Sequence, residues 1–278
     1  MMNDASKSDP RAAIAVDIVR WESGESHGAS DRLATEEPME VRVNGASLYV
    51  TMRTPGDDFA LAAGFLFGVG ILSDLEDLDG IEEIPDKTDP TVRNIIAVTL
   101  DREWAPDRDR QRNFTGTSAC GLCGKSSVDQ VRCLASPIPH EGPFVSPALL
   151  SGLGETMRLA QHVFKHTGGL HAAALFDQSG GIVALKEDVG RHNAVDKLIG
   201  EELLANRIPL PDRIMMVSGR AGFEIVQKAA VARIPILCSI SAPSSLAVHL
   251  AVSLNMTLIG FLRGDKMNVY AGSRRVQS

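Results

Sequence analysis

From Leu170 to Phe261 the chain repeats one arrangement: a short apolar run, a turn of small or polar residues, then a helical stretch. Leu170 to Phe176, Ile182 to Lys186, Ile214 to Val217, Ile236 to Ser239 and Thr257 to Phe261 read as strands. Asn193 to Leu204, Gly222 to Arg233 and Ser244 to Leu254 read as helices. Short apolar strands that alternate with helices point to an α/β layer around a mostly parallel sheet. Ser146-Pro147 caps a preceding helix to about Lys165, which Gly168-Gly169 stops. This C-terminal unit spans 146–278.

A smaller α+β unit is expected over 37–100. Met39 to Val43 and Ser47 to Thr51 are β-prone, and Asn44-Gly45 between them is a hairpin turn, since both positions tolerate positive φ. Thr54-Pro55 opens a helix, with Thr54 as N-cap, that ends near Gly68 or Gly70. Val92 to Thr99 is a further strand. Residues 1–36 are polar and lack sustained periodicity, so they read as a mostly disordered lead-in with one short strand at Ala13 to Val19. Residues 101–145 read as a mobile arm, because Asp101 to Arg112 alternates charge signs with few apolar residues.

The chain has 278 residues, 44% of them hydrophobic and 23% charged, enough to bury a core without disulfides or metals. Its formal net charge of −7 argues against broad binding to nucleic acid or anionic membranes, though not against a local basic pocket. Apolar stretches such as Ile234 to Ile240 are too short to span a bilayer. The N-terminus lacks a basic region followed by an apolar run, so the expected location is the cytoplasm. There, a tight pair among four cysteines is catalytic, redox-active or metal-binding rather than part of a disulfide framework.

That pair is Cys120-Gly121-Leu122-Cys123, followed by Gly124-Lys125. The glycines leave the sulfurs open, and Lys125 favours thiolate, the nucleophilic form. Such a thiolate can accept a persulfide sulfur, with the second thiol near enough to resolve it. Two other readings stay open. Zinc could use Cys133 and His140 as well, but the spacing fits no common ribbon or finger. A thioredoxin-like dithiol would sit between a strand and a helix, whereas this pair follows a polar arm. Cys133 and Cys238 lie in apolar contexts and read as packing residues.

The strand ends carry a second pattern. Glu187 to Lys197 follows a strand and opens a helix; Arg191 can grip phosphate or carboxylate with a bidentate fork, and His192 can donate to phosphate. Alone, the loop would be explained by Asn193 as helix N-cap beside surface charges. The pattern recurs, however, at Val217 to Gly222, with Ser218, Gly219 and Arg220, and at Ser241 to Ser245. Gly260 to Lys266 then closes the last strand with more cations. Small residues at strand ends expose N–H groups, and helix starts favour anions. Four such loops suggest a large phosphate-bearing ligand, although none matches a Walker or Rossmann fingerprint. His171 opens a strand beside Gly168-Gly169 and is balanced between a structural and a functional reading. His162 and His249 read as structural or surface residues.

Taken together, Ser118 to Gly124, Gly168 to Ala174, Asp188 to Lys197, Ser218 to Lys228 and Gly260 to Tyr270 resemble the formate dehydrogenase accessory sulfurtransferase family, FdhD. The resemblance covers about residues 34 to 275. It implies a sulfurtransferase that takes persulfide sulfur from a cysteine desulfurase. The sulfur passes to the molybdenum cofactor in its bis-guanine-dinucleotide form, Mo-bis(molybdopterin guanine dinucleotide), before insertion into apo-formate dehydrogenase. It also implies a cytoplasmic homodimer with a cytidine-deaminase-like C-terminal domain. By position, Cys120 becomes the persulfide carrier and Cys123 its partner, while Phe261, Leu262, Arg263, Gly264, Asp265 and Lys266 match the cofactor-binding segment. Zinc deaminases need H-x-E and a later P-C-x-x-C. Here His171-Ala172-Ala173 lacks the Glu and the cysteine pair comes first, so no resident metal is expected. The alternative within the same resemblance is a cofactor-binding chaperone that moves no sulfur.

Overall fold

The computed structural model describes residues 9–85, 93–104, 135–140 and 142–277. Its strands are β1 (Ala13–Glu22), β2 (Glu25–Ala34), β3 (Glu37–Val43), β4 (Ala46–Arg53), β5 (Leu78–Ile84) and β6 (Ile95–Leu100) in the first half. The second half holds β7 (His171–Phe176), β8 (Ile182–Asp188), β9 (Ile214–Val217), β10 (Ile236–Ser239), β11 (Thr257–Arg263) and β12 (Lys266–Ala271). The helices are α1 (Asp58–Gly68), α2 (Pro147–Ala160), α3 (Phe164–Thr167), α4 (Arg191–Leu204), α5 (Phe223–Val231) and α6 (Ser245–Ser253).

Among the described residues the strands form three sheets. The largest has six strands in the order β12-β11-β10-β9-β7-β8. β9, β10 and β11 run parallel, while β7 is antiparallel to both β8 and β9, and β12 is antiparallel to β11. The sheet is therefore mixed, which corrects the expected mostly parallel one. The cause is β12, a polar edge strand whose run Lys266 to Ala271 carries no buried signal, together with the hairpin at Asp177 to Gly181.

Alternate residues of the strands feed two cores. Ala173, Leu175, Met215, Val217, Leu237 and Leu258 face α4, α5 and α6 in one cluster. Ala172, Ala174, Phe176, Met216, Cys238 and Ile259 face Leu150, Leu153 and Met157 of α2 in the other. The first cluster continues without a break into the four-stranded sheet β4-β3-β6-β5 through α1. There α1 and α4 cross almost backbone to backbone. A Cβ on Gly64 would lie 1.9 Å from the Asp196 carbonyl oxygen, and one on Gly200 1.8 Å from that of Ala60. Only glycine fits these two positions.

Several local expectations hold. Asn44 and Gly45 both have positive φ in the β3–β4 turn, and Ser146 caps α2 by accepting the Leu149 N–H at 3.1 Å. Others change. α1 starts at Asp58 with Asp57 as N-cap, so Thr54 is not a cap; Thr54 is buried and bonds elsewhere. The Ser146 helix ends at Ala160, and α3 follows as a separate turn with Gly168 as a left-handed C-cap. Residues 13–34, expected to be largely disordered, form a complete antiparallel hairpin from Ala13↔Ala34 to Glu22↔Glu25. Its base packs Ala12, Ala13 and Ala34 against Val163, Phe164 and Leu170. Strand-to-strand hydrogen bonds order a segment whose polar side chains hide its pairing. Among the described residues no helix is long and apolar enough to cross a membrane.

Candidate functional site

The register of the six-stranded sheet brings the strand-end loops together. Asp188 pairs with His171, Val217 pairs with both Ala173 and Ser239, and Cys238 pairs with Ile259. The C-terminal ends of β8, β9, β10 and β11 therefore share one edge with the start of β7, as expected for ligand sites on open α/β sheets.

The loop from Glu187 to Lys197 divides sharply. Asp188 is fully buried, and its carboxylate accepts N–H groups from Thr54 at 3.1 Å, Gly190 at 2.8 Å and the Asn193 amide at 2.9 Å. Lys197 Nζ lies 2.7 Å from the same carboxylate and donates to the Thr54 carbonyl at 2.8 Å. Asn193 also donates to the Met52 carbonyl at 2.8 Å. Asp196 is buried against Lys228 Nζ at 2.5 Å, and burial pushes its carboxyl upward against the pull of that lysine. Asn193 is thus no N-cap; Gly190 is, without a side-chain bond. Three polar residues, Asp188, Asn193 and Lys197, lock the C-terminal unit to β4 and its exit, while Asp196 ties α4 to α5, leaving Arg191 and His192 in the first turn of α4. His192 lies 3.7 Å from the Glu224 carboxylate. Burial, aided by Arg191, Lys228 and His171, lowers its imidazole to about 3, so it is neutral at neutral pH.

The neighbouring loops are tied to one another by backbone contacts. Ser239, fully buried, donates to the Gly219 carbonyl at 2.7 Å and accepts the Ser241 N–H at 3.1 Å. Ser241 in turn accepts the Phe261 N–H at 3.1 Å. Pro243 closes down on β11, where a Cβ on Gly260 would lie 2.8 Å from its Cδ. The β11–β12 pairing shifts register between Gly260 and Arg263, and Phe261 sits there at φ +53° with 40% of its surface exposed. Irregularities of this kind re-aim side chains next to functional sites.

Of the residues expected from sequence, Arg191, His192, Ser218, Gly219, Arg220, Ser241, Phe261, Arg263, Gly264, Asp265 and Lys266 lie on this edge or its rim. Leu262 is the exception: it is 1% exposed and packs in the α2 core, so it offers the edge only backbone. Arg220 is exposed, and the Arg263 side chain donates to the Ile240 carbonyl at 3.2 Å. Neither these two arginines nor Lys266 has a carboxylate partner among the described residues. That leaves cationic groups beside the starts of α4, α5 and α6, an arrangement suited to a polyanion. Ser239 escaped the sequence reading because a serine ending an apolar strand gives no signal of the carbonyl it will meet. Cys120 and Cys123 lie outside the described residues, as do Cys133 and the rest of 105–134 within the expected arm 101–145. Cys238 is fully buried and its thiol is pushed up to about 12, which makes it unreactive packing.

A model of the FdhD/NarQ family matches residues 34–277. A protein named sulfur carrier protein FdhD from Streptomyces coelicolor is 50% identical over 264 residues, covering 93% of this chain and 94% of that one. Its namesake from Mycobacterium tuberculosis is 47% identical over 253 residues, covering 88% and 92%. A crystal structure of a candidate formate dehydrogenase accessory protein from Desulfotalea psychrophila superposes with a TM-score of 0.74. It covers 96% of this chain and 100% of that one at 24% identity, a likeness of fold.

Proposed function

The chain belongs to the FdhD/NarQ family, and from that membership we propose that it is a sulfur carrier in formate dehydrogenase maturation. Its relatives are named for sulfur carriage. In this reading the Cys120 thiolate attacks the outer sulfur of a cysteine desulfurase persulfide. A new S–S bond forms on Cys120, and the desulfurase thiolate leaves. Cys123 is the second thiol available when that sulfur is passed on.

The acceptor is Mo-bis(molybdopterin guanine dinucleotide), bound as substrate at the strand edge before it enters apo-formate dehydrogenase. The observation that carries this half is the meeting of three helix starts with Arg191, Arg220, Arg263 and Lys266 on one edge of the sheet. The pyrophosphates of a dinucleotide are what such an edge suits. The mixed sheet, with small-residue loops along one edge, supports a cytidine-deaminase-like domain kept for nucleotide binding. A cytoplasmic homodimer completes the family reading.

Mass spectrometry after incubation with a cysteine desulfurase and cysteine tests the proposal. One added sulfur on the Cys120 peptide is expected, and Cys120→Ala should abolish dehydrogenase maturation while leaving nucleotide binding intact. An unmodified Cys120 with full maturation by Cys120→Ala would leave the cofactor-binding chaperone, which uses the same edge without moving sulfur.

A further inference from the structure

His171 opens β7, half-buried where the start of α4 meets the loop after β9. Its Nδ1 lies 3.4 Å from Ser218 Oγ. That hydroxyl already receives the Ala172 N–H at 2.9 Å, so its own proton is available to an acceptor, and Nδ1 is beside it. An imidazole that accepts at Nδ1 carries its proton on Nε2. Among the described residues Nε2 has no hydrogen-bond partner. A Cβ on Gly219 would lie 3.4 Å from His171 Nδ1 and 3.4 Å from Arg191 Cβ and Cδ, so the ring and the arginine stem flank one point of the chain. Burial, then the nearby Arg191 charge, holds the His171 imidazole below its ordinary range, against a weaker upward pull from Asp188. The ring is therefore neutral at neutral pH.

We propose that His171 is a ligand-contacting residue of this edge, its Nδ1 committed to Ser218 and its Nε2–H donated to a phosphate oxygen of a nucleoside diphosphate beside Arg191. The inference rests on the nucleotide-binding reading of the edge. The division of labour is physical. Arg191 supplies charge, which acts over distance, and a neutral imidazole adds a directional donor without adding another cation to a group already self-repelling. Ser218 then acts through His171, fixing the tautomer rather than meeting the ligand.

Two isosteres separate contact from scaffolding. Glutamine places its amide nitrogen near the position of Nε2, whereas asparagine places its amide near Nδ1. In GDP titrations of the full chain by calorimetry, His171→Gln should bind within about threefold of wild type, and His171→Asn and His171→Ala should bind about tenfold to a hundredfold more weakly. The reverse order, with asparagine rescuing and glutamine failing, would reduce His171 to a support for Ser218. Equal binding by all three would remove it from the ligand altogether. Wild-type protein that fails to bind GDP would sink this proposal together with the reading of the edge. Long-range proton–nitrogen correlation spectra of the wild type give a readout independent of GDP and of variant folding. The Nε2–H tautomer is expected at neutral pH, and an Nδ1–H tautomer would overturn the proposal alone.

Discussion

Two regions use the same polar residue types in opposite ways. At the junction between β4 and α4, Asp188, Asn193 and Lys197 are buried, and their bonds to one another and to Thr54 and Met52 satisfy them internally. At the strand edge, Arg220, Arg263 and Lys266 have no carboxylate partner among the described residues, and Arg191 stands at the start of α4 on the same edge. The junction gives the chain its shape; the edge leaves charge available for something that is not part of the chain. Helical spacing decides which is which. Asn193, Asp196 and Lys197 recur at three and four residues and so share the buried face of α4, while Arg191 and His192 fall in its half-buried first turn at the strand edge.

The contrast breaks most violently at Asp188. Asp188→Ala strands Lys197 without its partner in the core, and should cost on the order of 3–5 kcal/mol of stability in denaturant titrations. A change under about 1 kcal/mol would mean that the junction is not locked as described. Gly200→Ala forces a methyl group onto the Ala60 carbonyl; a loss of about 3 kcal/mol is expected, with α1 and α4 pushed apart. Unchanged stability there would contradict the close crossing.

His192 sharpens the comparison through pH. Its folded-state value of about 3 lies below the ordinary 6.5, so the unfolded chain binds the extra proton between them. Its contribution is complete above pH 6.5 and drains away as pH falls toward 3. Melting temperatures of His192→Gln should thus fall less steeply across that window than those of wild type; parallel curves would show that His192 is not held neutral. The smallest effect belongs to Ser239→Ala. Losing its bond to the Gly219 carbonyl should cost only about 1 kcal/mol. It should also speed amide exchange at Ser241, and unaltered exchange would mean that the serine does not couple the two loops.

Much of the fold was legible because it rests on local signals. The apolar runs of β7, β9, β10 and β11, the Asn44-Gly45 turn and the Ser146 cap each announce themselves within a few residues. What escaped depends on partners far along the chain. Thr54-Pro55 looks like a helix start, yet Thr54 bonds Asp188 across 134 residues of sequence. β12 and β2 are polar on their open faces and do not read as strands until their pairing is seen, although Ala13 to Val19 of β1 reads as a short strand. The site shows the same split. The residue types at the strand ends were readable, whereas side-chain direction was not: Leu262 turns into the α2 core, and Asp188 and Lys197 turn into the junction. His171, undecided by sequence, gained its argument only from Ser218 and Gly219 beside it.

The most direct test of an edge built for an external polyanion is calorimetric titration of the full chain with GDP, wild type against Arg220→Ala. Saturable binding by the wild type is expected, with Arg220→Ala about tenfold to a hundredfold weaker and equally stable. Equal affinity would take Arg220 out of the site, and no binding by the wild type would contradict the nucleotide-binding edge itself.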